Sequence, residues 1–240
     1  MKKILGILGG MGPLASAEFL KTIYDFNVGA VEQESPVCIL YSDPTIPDRT
    51  ESIINGTEEV LLKRLVKALK TLYQLGASKV VIACVTIHYI LPRVPAPLRQ
   101  KVISLVDVII DEMLTTEERH LLLCTNGTRE KGIFQKHDRW ELIRPQVVFT
   151  NDDDQQFVHD LIHKTIKTNQ IDDSLLSCFD DLSKRYRVHS FIAGCTEIHV
   201  LVKRLMKRGS DEPQYRFVDP LLTLAKDLKR FVNGPEPFLL

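Results

Sequence analysis

The chain has no surplus of charge, no long apolar run and few cysteines, and each shortage removes a class of function. Lysine plus arginine and aspartate plus glutamate number 31 each, so no global field draws the protein to nucleic acid or an anionic membrane. No apolar stretch approaches the ~20 residues that span a bilayer. The apolar start Ile4 to Leu8 breaks at Gly9-Gly10 and lacks a signal-peptide cleavage pattern. A cytoplasmic protein without nucleic-acid or membrane partners is expected. The five cysteines, Cys38, Cys84, Cys124, Cys178 and Cys195, are odd in number and far apart, with no CxxC spacing. A disulfide scaffold and a zinc site are both disfavoured by that pattern, and no metal is expected.

What remains is an ordinary globular composition, 240 residues with 44 % hydrophobic and 26 % charged, able to bury a core. Strand-like runs alternate with helical stretches along the whole length. Lys3 to Leu8, Val37 to Tyr41, Lys79 to Ala83 and Lys101 to Leu105 read as strands. Leu14 to Asn27 and Thr57 to Leu75 have helical spacing, the latter with Leu61, Leu62, Leu65, Leu69 and Leu72 on one face. A second cycle follows, with strands at Leu121 to Leu123, Gln146 to Phe149, Val188 to Ala193 and Tyr215 to Val218. Its helices are expected at Asp152 to Lys167, Leu175 to Arg187 and Leu221 to Val232. Such alternation predicts an α/β fold with mainly parallel sheets flanked by helices.

Two segments are near copies. Cys84-Val85-Thr86-Ile87-His88 follows Val80-Val81-Ile82, and Cys195-Thr196-Glu197-Ile198-His199 follows Phe191-Ile192-Ala193. Each ends a hydrophobic strand in Cys-x-x-Ile-His, with the cysteines 111 positions apart (195 − 84). Gly10 and Gly127, each in the turn after a first strand, are 117 apart (127 − 10). The agreement predicts two pseudo-symmetric lobes. Residues 1–103 plus 217–240 are expected to form the first and residues 104–216 the second, with the last strand and helix returning to the first lobe. Sites in parallel α/β proteins form beyond the carboxyl ends of the strands, so the cleft between lobes is the expected ligand site.

Free cysteine is more often a small buried hydrophobe than a reactive group, and Cys38 and Cys178 fit that role. Cys84 and Cys195 differ because polar residues follow each within two positions, Thr86 after the first and Thr196 and Glu197 after the second. Gly9-Gly10-Met11-Gly12-Pro13 is either a tight turn or an anion cradle at a helix start. Thr125-Asn126-Gly127-Thr128 is its counterpart, serving anion binding or simple helix capping. Arg49 is either a carboxylate clamp or a surface arginine paired with Asp48 or Glu51. Lys167, near a helix end, reads on its own as a solvated charge. His88 and His199, four residues after the thiols, either assist them or are satisfied structural histidines. Thr196 and Glu197 suit helix capping, and Glu197 also suits polarising a neighbour.

Taken together, Gly6-Ile7-Leu8-Gly9-Gly10-Met11-Gly12-Pro13, Ile46-Pro47-Asp48-Arg49-Thr50, Cys84-Val85-Thr86-Ile87-His88, Thr125-Asn126-Gly127-Thr128 and Gly194-Cys195-Thr196-Glu197-Ile198 resemble the cofactor-independent aspartate/glutamate racemase family. The resemblance runs nearly end to end. It implies an isomerase that interconverts L- and D-amino acids without pyridoxal phosphate or any other cofactor. In this pattern Cys84 and Cys195 act as opposing acid and base at Cα. Arg49 and Lys167 correspond to contacts with the substrate's carboxylates. The remaining implied substrate contacts are Met11, Gly12, Val85 and Thr86 from the first lobe. Thr125, Gly127, Thr128, Thr196 and Glu197 come from the second. An amino-acid or dicarboxylate substrate is implied, and relatives are commonly dimers, so a homodimer is expected.

One departure stands out. The family's first cysteine motif usually reads Cys-Asn-Thr-Ala-His, and here Val85 and Ile87 replace the asparagine and the alanine. Losing a polar contact costs ~1–3 kcal/mol or shifts the ligand preference. Two other readings therefore stay open at this point: a catalytically altered relative that binds a carboxylate ligand or partner, and a single-thiol lyase or decarboxylase on the same scaffold. Helix starts just after Cys84 and Cys195 are expected to favour thiolate at both.

Overall fold

Parallel strands covered on both faces must be apolar throughout, and the continuous runs of this sequence fold accordingly. The structure is a computed structural model that describes residues 2–171, 175, 177–207 and 215–233. Among them β1 (Ile4–Gly9), β2 (Val37–Ser42), β3 (Ala77–Ile82) and β4 (Val102–Ile103) form one sheet in the order β2-β1-β3-β4. A second sheet, β6-β5-β7-β8, is made by β5 (His120–Leu123), β6 (Val147–Val148), β7 (Ser190–Ala193) and β8 (Arg216–Val218). Every pairing in both sheets is parallel. The second sheet repeats the strand order of the first, so β1 answers to β5 and β3 to β7. This is the two-lobed α/β architecture expected from the sequence.

The helices of the first lobe are α1 (Pro13–Phe26), α2 (Arg49–Ile54), α3 (Glu58–Gln74) and α4 (Ala96–Arg99), followed by α5 (Leu105–Met113). The second lobe brings α6 (Asn126–Lys131), α7 (Trp140–Ile143), α8 (Asp152–Asp160), α9 (Ser177–Tyr186) and α10 (Ile198–Lys207). After β8 come α11 (Pro220–Lys226) and α12 (Leu228–Asn233). In α3 the spacing Leu61, Leu65, Leu69, Leu72 buries one face, each leucine worth ~1.5–3 kcal/mol of transfer free energy. After β1 the chain turns at Gly10, whose φ is +92°. A Cβ there would lie 2.3 Å from the Asp43 backbone, so only glycine lets the two loops approach.

Among the described residues, three apolar clusters hold these layers together. One lies within the first lobe around Leu8, Leu65 and Ile82, and one within the second around Leu123, Phe179 and Phe191. The third is shared: Leu5, Ile7, Phe19 and Val81 meet Leu122, Ile192 and Val218 through residues of α5 and α11. The lobes are thus joined by a common core.

The structure corrects two expectations. The last strand does not return to the first lobe: β8 pairs with β7 in the second sheet, and a boundary at residue 217 cuts through it. The helix after it does lie against α1, where Asn27 Nδ2 donates to Ala225 O at 2.7 Å. Residues 234–240 of the expected first lobe lie outside the described residues, as does residue 176 of the expected helix over 175–187. The helix expected over 152–167 is also not uniform. It is α-helical to Asp160 and then makes a π-helical turn over Leu161–Ile166. Lys167 N accordingly reaches back five residues to Ile162 O at 3.1 Å.

Candidate active site

The two thiols sit just past the ends of the equivalent strands β3 and β7, each 5 % exposed. They are brought together from opposite lobes. Thr196 Oγ1, next to Cys195, donates to the carbonyl of Ala83, next to Cys84, at 3.1 Å. A second bridge is a group of three hydroxyls. Thr86 Oγ1 lies 3.1 Å from Thr125 Oγ1 and 2.8 Å from Thr128 Oγ1. Thr125 also accepts from Thr128 N at 3.3 Å, which caps α6. Gly127 fits beneath α2, where a Cβ would come within 2.8 Å of Thr50 Oγ1.

Arg49 begins α2 and turns inward, only 6 % exposed, so it is no surface arginine, although the expected pairing with Asp48 is present, Nη2 lying 3.8 Å from Oδ2. Its Nη2 donates to Met11 O at 2.5 Å and its Nη1 to Pro47 O at 3.1 Å. Its Nε is buried with no partner. Burial works against this charge, yet neighbouring Cys84, Asp48 and Glu197 raise the guanidinium's pKa above its ordinary value. Asp48 caps α2 through Oδ1, accepting from Thr50 N and Glu51 N at 2.8 and 3.1 Å. Its other oxygen, Oδ2, faces Lys167 Nζ at 3.4 Å. Lys167 therefore is not a solvated surface charge; the π-helical turn delivers it to the cleft. There His163 Nε2 lies 3.4 Å from its ammonium. Burial first, then the Lys167 charge, push His163 down to about 4, so its neutral ring accepts from the ammonium.

Glu197 completes the group. It is 1 % exposed, and its Oε2 accepts from Cys195 Sγ at 2.8 Å. Its Oε1 is buried with no partner and lies against Gly12, where a Cβ would come within 2.6 Å of it. Burial and the Glu197 carboxylate push the Cys195 thiol well above its ordinary pKa, against the opposing pull of Lys167. The expectation of a helix start favouring thiolate is overturned here. Helix α10 begins only at Ile198, and the adjacent carboxylate outweighs it. After Cys84 the chain enters a 3-10 helix, Thr86–Arg93, with Pro92 inside, rather than an α-helix.

Both histidines have their ring nitrogens engaged by neighbouring groups. Leu105 N donates to His88 Nε2 at 3.0 Å, so the proton is on Nδ1, which donates to Cys84 O at 2.9 Å and Val85 O at 3.1 Å. His199 sits between Asp219 Oδ2 at 2.6 Å and Thr22 Oγ1 at 3.0 Å. Val85 is 1 % exposed and belongs to the shared core. Ile87, fully buried, packs in the same apolar cluster as Met11 and Cys84. Sequence reading missed His163 and gave Asp48 only a surface role. The one available signal was the spacing His163–Lys167, which puts i and i+4 on one helix face.

A two-lobed parallel α/β protein with paired thiols, a buried arginine, a half-buried lysine and a buried carboxylate between the lobes defines a narrow class. The sequence model of the Asp/Glu/Hydantoin racemase family matches residues 8–228, and the chain belongs to that family. It is 23 % identical over 230 residues to the broad specificity amino-acid racemase RacX of Bacillus subtilis (strain 168), covering 93 % of this chain and 95 % of that one. Its fold is similar to that of Picrophilus torridus aspartate racemase, with a TM-score of 0.79 at 24 % identity, covering 96 % of this chain and 94 % of that one. It is also similar to that of an aspartate racemase homologue from Pyrococcus horikoshii OT3. There the TM-score is 0.67 at 20 % identity, covering 98 % and 100 %.

Proposed function

We propose that the protein is a cofactor-independent amino-acid racemase working by two-base proton transfer between Cys84 and Cys195. Its proposed substrates are aspartate, glutamate and similar amino acids. One observation carries this reading. Two buried thiols stand at the ends of equivalent strands, tied together by the Thr196–Ala83 hydrogen bond, and they have unlike neighbours. A guanidinium lies beside Cys84 and a carboxylate beside Cys195. This supports Cys84 as the proton acceptor and Cys195 as the donor in the resting state.

In the proposed step, the Cys84 sulfur takes the Cα proton while Cys195 gives its proton to the opposite face of Cα. The inverted product leaves the two sulfurs with exchanged protonation; either the reverse conversion uses that state directly, or proton exchange with water after product release restores the first. Removing a Cα proton needs the developing charge to be held by groups oriented beforehand. The unpartnered Arg49 Nε and the Lys167 ammonium are the proposed contacts to carboxylate. The hydroxyls of Thr86, Thr125 and Thr128 supply further hydrogen bonds. Met11 places its carbonyl on Arg49 and so orients the clamp. The proposed setting is a cytoplasmic homodimer, checked by fractionation and light scattering.

Incubation with L- and D-amino acids in deuterated buffer, without added cofactor, tests the proposal. Deuterium is expected at Cα together with the opposite enantiomer. No exchange across a broad panel, with folded protein and free thiols, would reject it.

A further inference from the structure

The Glu197 carboxylate has one oxygen occupied and one without a partner. Oε2 takes the Cys195 hydrogen bond at 2.8 Å, whereas Oε1 is buried and unpartnered in a side chain only 1 % exposed. A buried acceptor left unmade is costly, more so when charged. The nearest cations do not hydrogen-bond this oxygen: Arg49 donates through Nη1 and Nη2 to Pro47 O and Met11 O and its Nε is unpartnered, while Lys167 faces Asp48 and His163. Oε1 lies against Gly12, the residue whose missing side chain leaves this oxygen room.

We infer that Glu197 Oε1 receives the α-ammonium group of the substrate, so that the site selects free α-amino acids. Analogues whose α-nitrogen is acylated or closed into a hydantoin ring are rejected. This rests on the racemase reading above and divides a family whose name spans both amino acids and hydantoins. An ammonium brings positive charge and three donors to the orphan oxygen. A carbamoylated or ring nitrogen is neutral and brings Oε1 at most one N–H in place of an ammonium. Sites that hydrogen-bond a substrate group discriminate strongly against analogues lacking it, because their own polar atoms are then stranded.

A second consequence follows from the shared carboxylate. Charge drawn to Oε1 by the ammonium weakens the hold of Oε2 on the Cys195 proton. The S–H bond of Cys195 then breaks as the new Cα–H bond forms. On the opposite face the old Cα–H bond breaks as an S–H bond forms on Cys84. Protons and electron pairs balance within the pair, and substrate binding itself readies the donor thiol.

The test compares Cα exchange in deuterated buffer for an amino acid, its N-carbamoyl derivative and its 5-substituted hydantoin, corrected for enzyme-free exchange. The wild type is expected to favour the free amino acid in kcat/KM by about 100-fold. Glu197→Gln is expected to raise KM for the amino acid roughly 10- to 100-fold and to leave that for the N-carbamoyl derivative within about threefold. Equal efficiency on the hydantoin, or an unchanged KM in Glu197→Gln, overturns the inference. Exchange confined to the blocked analogues also overturns it while leaving racemisation intact. No exchange on any of the three rejects the racemase reading instead. Should Glu197→Gln fail to fold, calorimetry on the wild type decides. Binding of L-aspartate at least tenfold tighter than succinate supports the ammonium contact, and equal binding overturns it.

Discussion

His88→Gln separates a structural histidine from a catalytic one, and its effect can be worked from the structure. The His88 ring is 7 % exposed and its protonation state is fixed by three backbone groups. Burial pushes it from an ordinary 6.5 down to about 4. Above pH 6.5 both the folded and the unfolded chain hold it neutral, and its contribution is fully present. As pH falls below 6.5 the unfolded chain takes up a proton that the folded one refuses. Stability is therefore lost down to about pH 4 and levels off below. The shift of ~2.5 units corresponds to roughly 3 kcal/mol. His120, also pushed to about 4 by burial, titrates in the same window in both proteins, so the comparison isolates His88. Urea unfolding of wild type and variant at pH 7, 5.5 and 4 gives the two curves. The variant is expected to be less stable at pH 7 by ~1–3 kcal/mol, because the Leu105 amide and the Cys84 carbonyl lose their shared partner. It should then lose about 3 kcal/mol less than the wild type on acidification. Parallel curves would refute the neutral, backbone-locked ring. A kcat/KM profile whose acid limb vanished in the variant, with folding intact, would make His88 catalytic.

Two further perturbations probe the cleft. Gly127→Ala places a Cβ 2.8 Å from Thr50 Oγ1 and 3.1 Å from Thr50 Cα, beside the helix that carries Arg49. A stability loss of ~1–3 kcal/mol and a fall in kcat/KM are expected by urea unfolding and steady-state kinetics; wild-type values for both would contradict that close approach. Lys167→Met removes the cation facing Asp48 Oδ2 and is expected to raise KM for dicarboxylic amino acids by about 10- to 100-fold. An unaltered KM would return Lys167 to a purely structural role.

Much of this architecture was legible in the sequence. Strands buried on both faces read as unbroken apolar runs, and β1, β3, β5 and β7 were found for that reason. The thiols at the ends of β3 and β7 were visible as a duplicated motif. What stayed hidden was decided over long distances. Strand β8 has three residues, too few to carry a preference for either sheet, and its place comes from pairing with β7. The shared core has no local signature because α5 and α11 serve both lobes at once. Asp48 and Lys167 are 119 positions apart, and only the fold makes them neighbours. The π-helical turn that delivers Lys167 is a backbone choice no periodicity announces. The expected thiolate at Cys195 failed for a related reason. A helix start was visible in the sequence, whereas the depth of burial and the aim of the Glu197 side chain were not.

The central claim is that Cys84 and Cys195 act as a pair, and single substitutions test it most directly. Cys84→Ser and Cys195→Ser, each checked for folding by thermal melting, are incubated with both enantiomers of a substrate in deuterated buffer. Chiral chromatography follows the appearance of the opposite enantiomer. Neither variant is expected to racemise in either direction. Racemisation at the wild-type rate by one of them would contradict the two-thiol account.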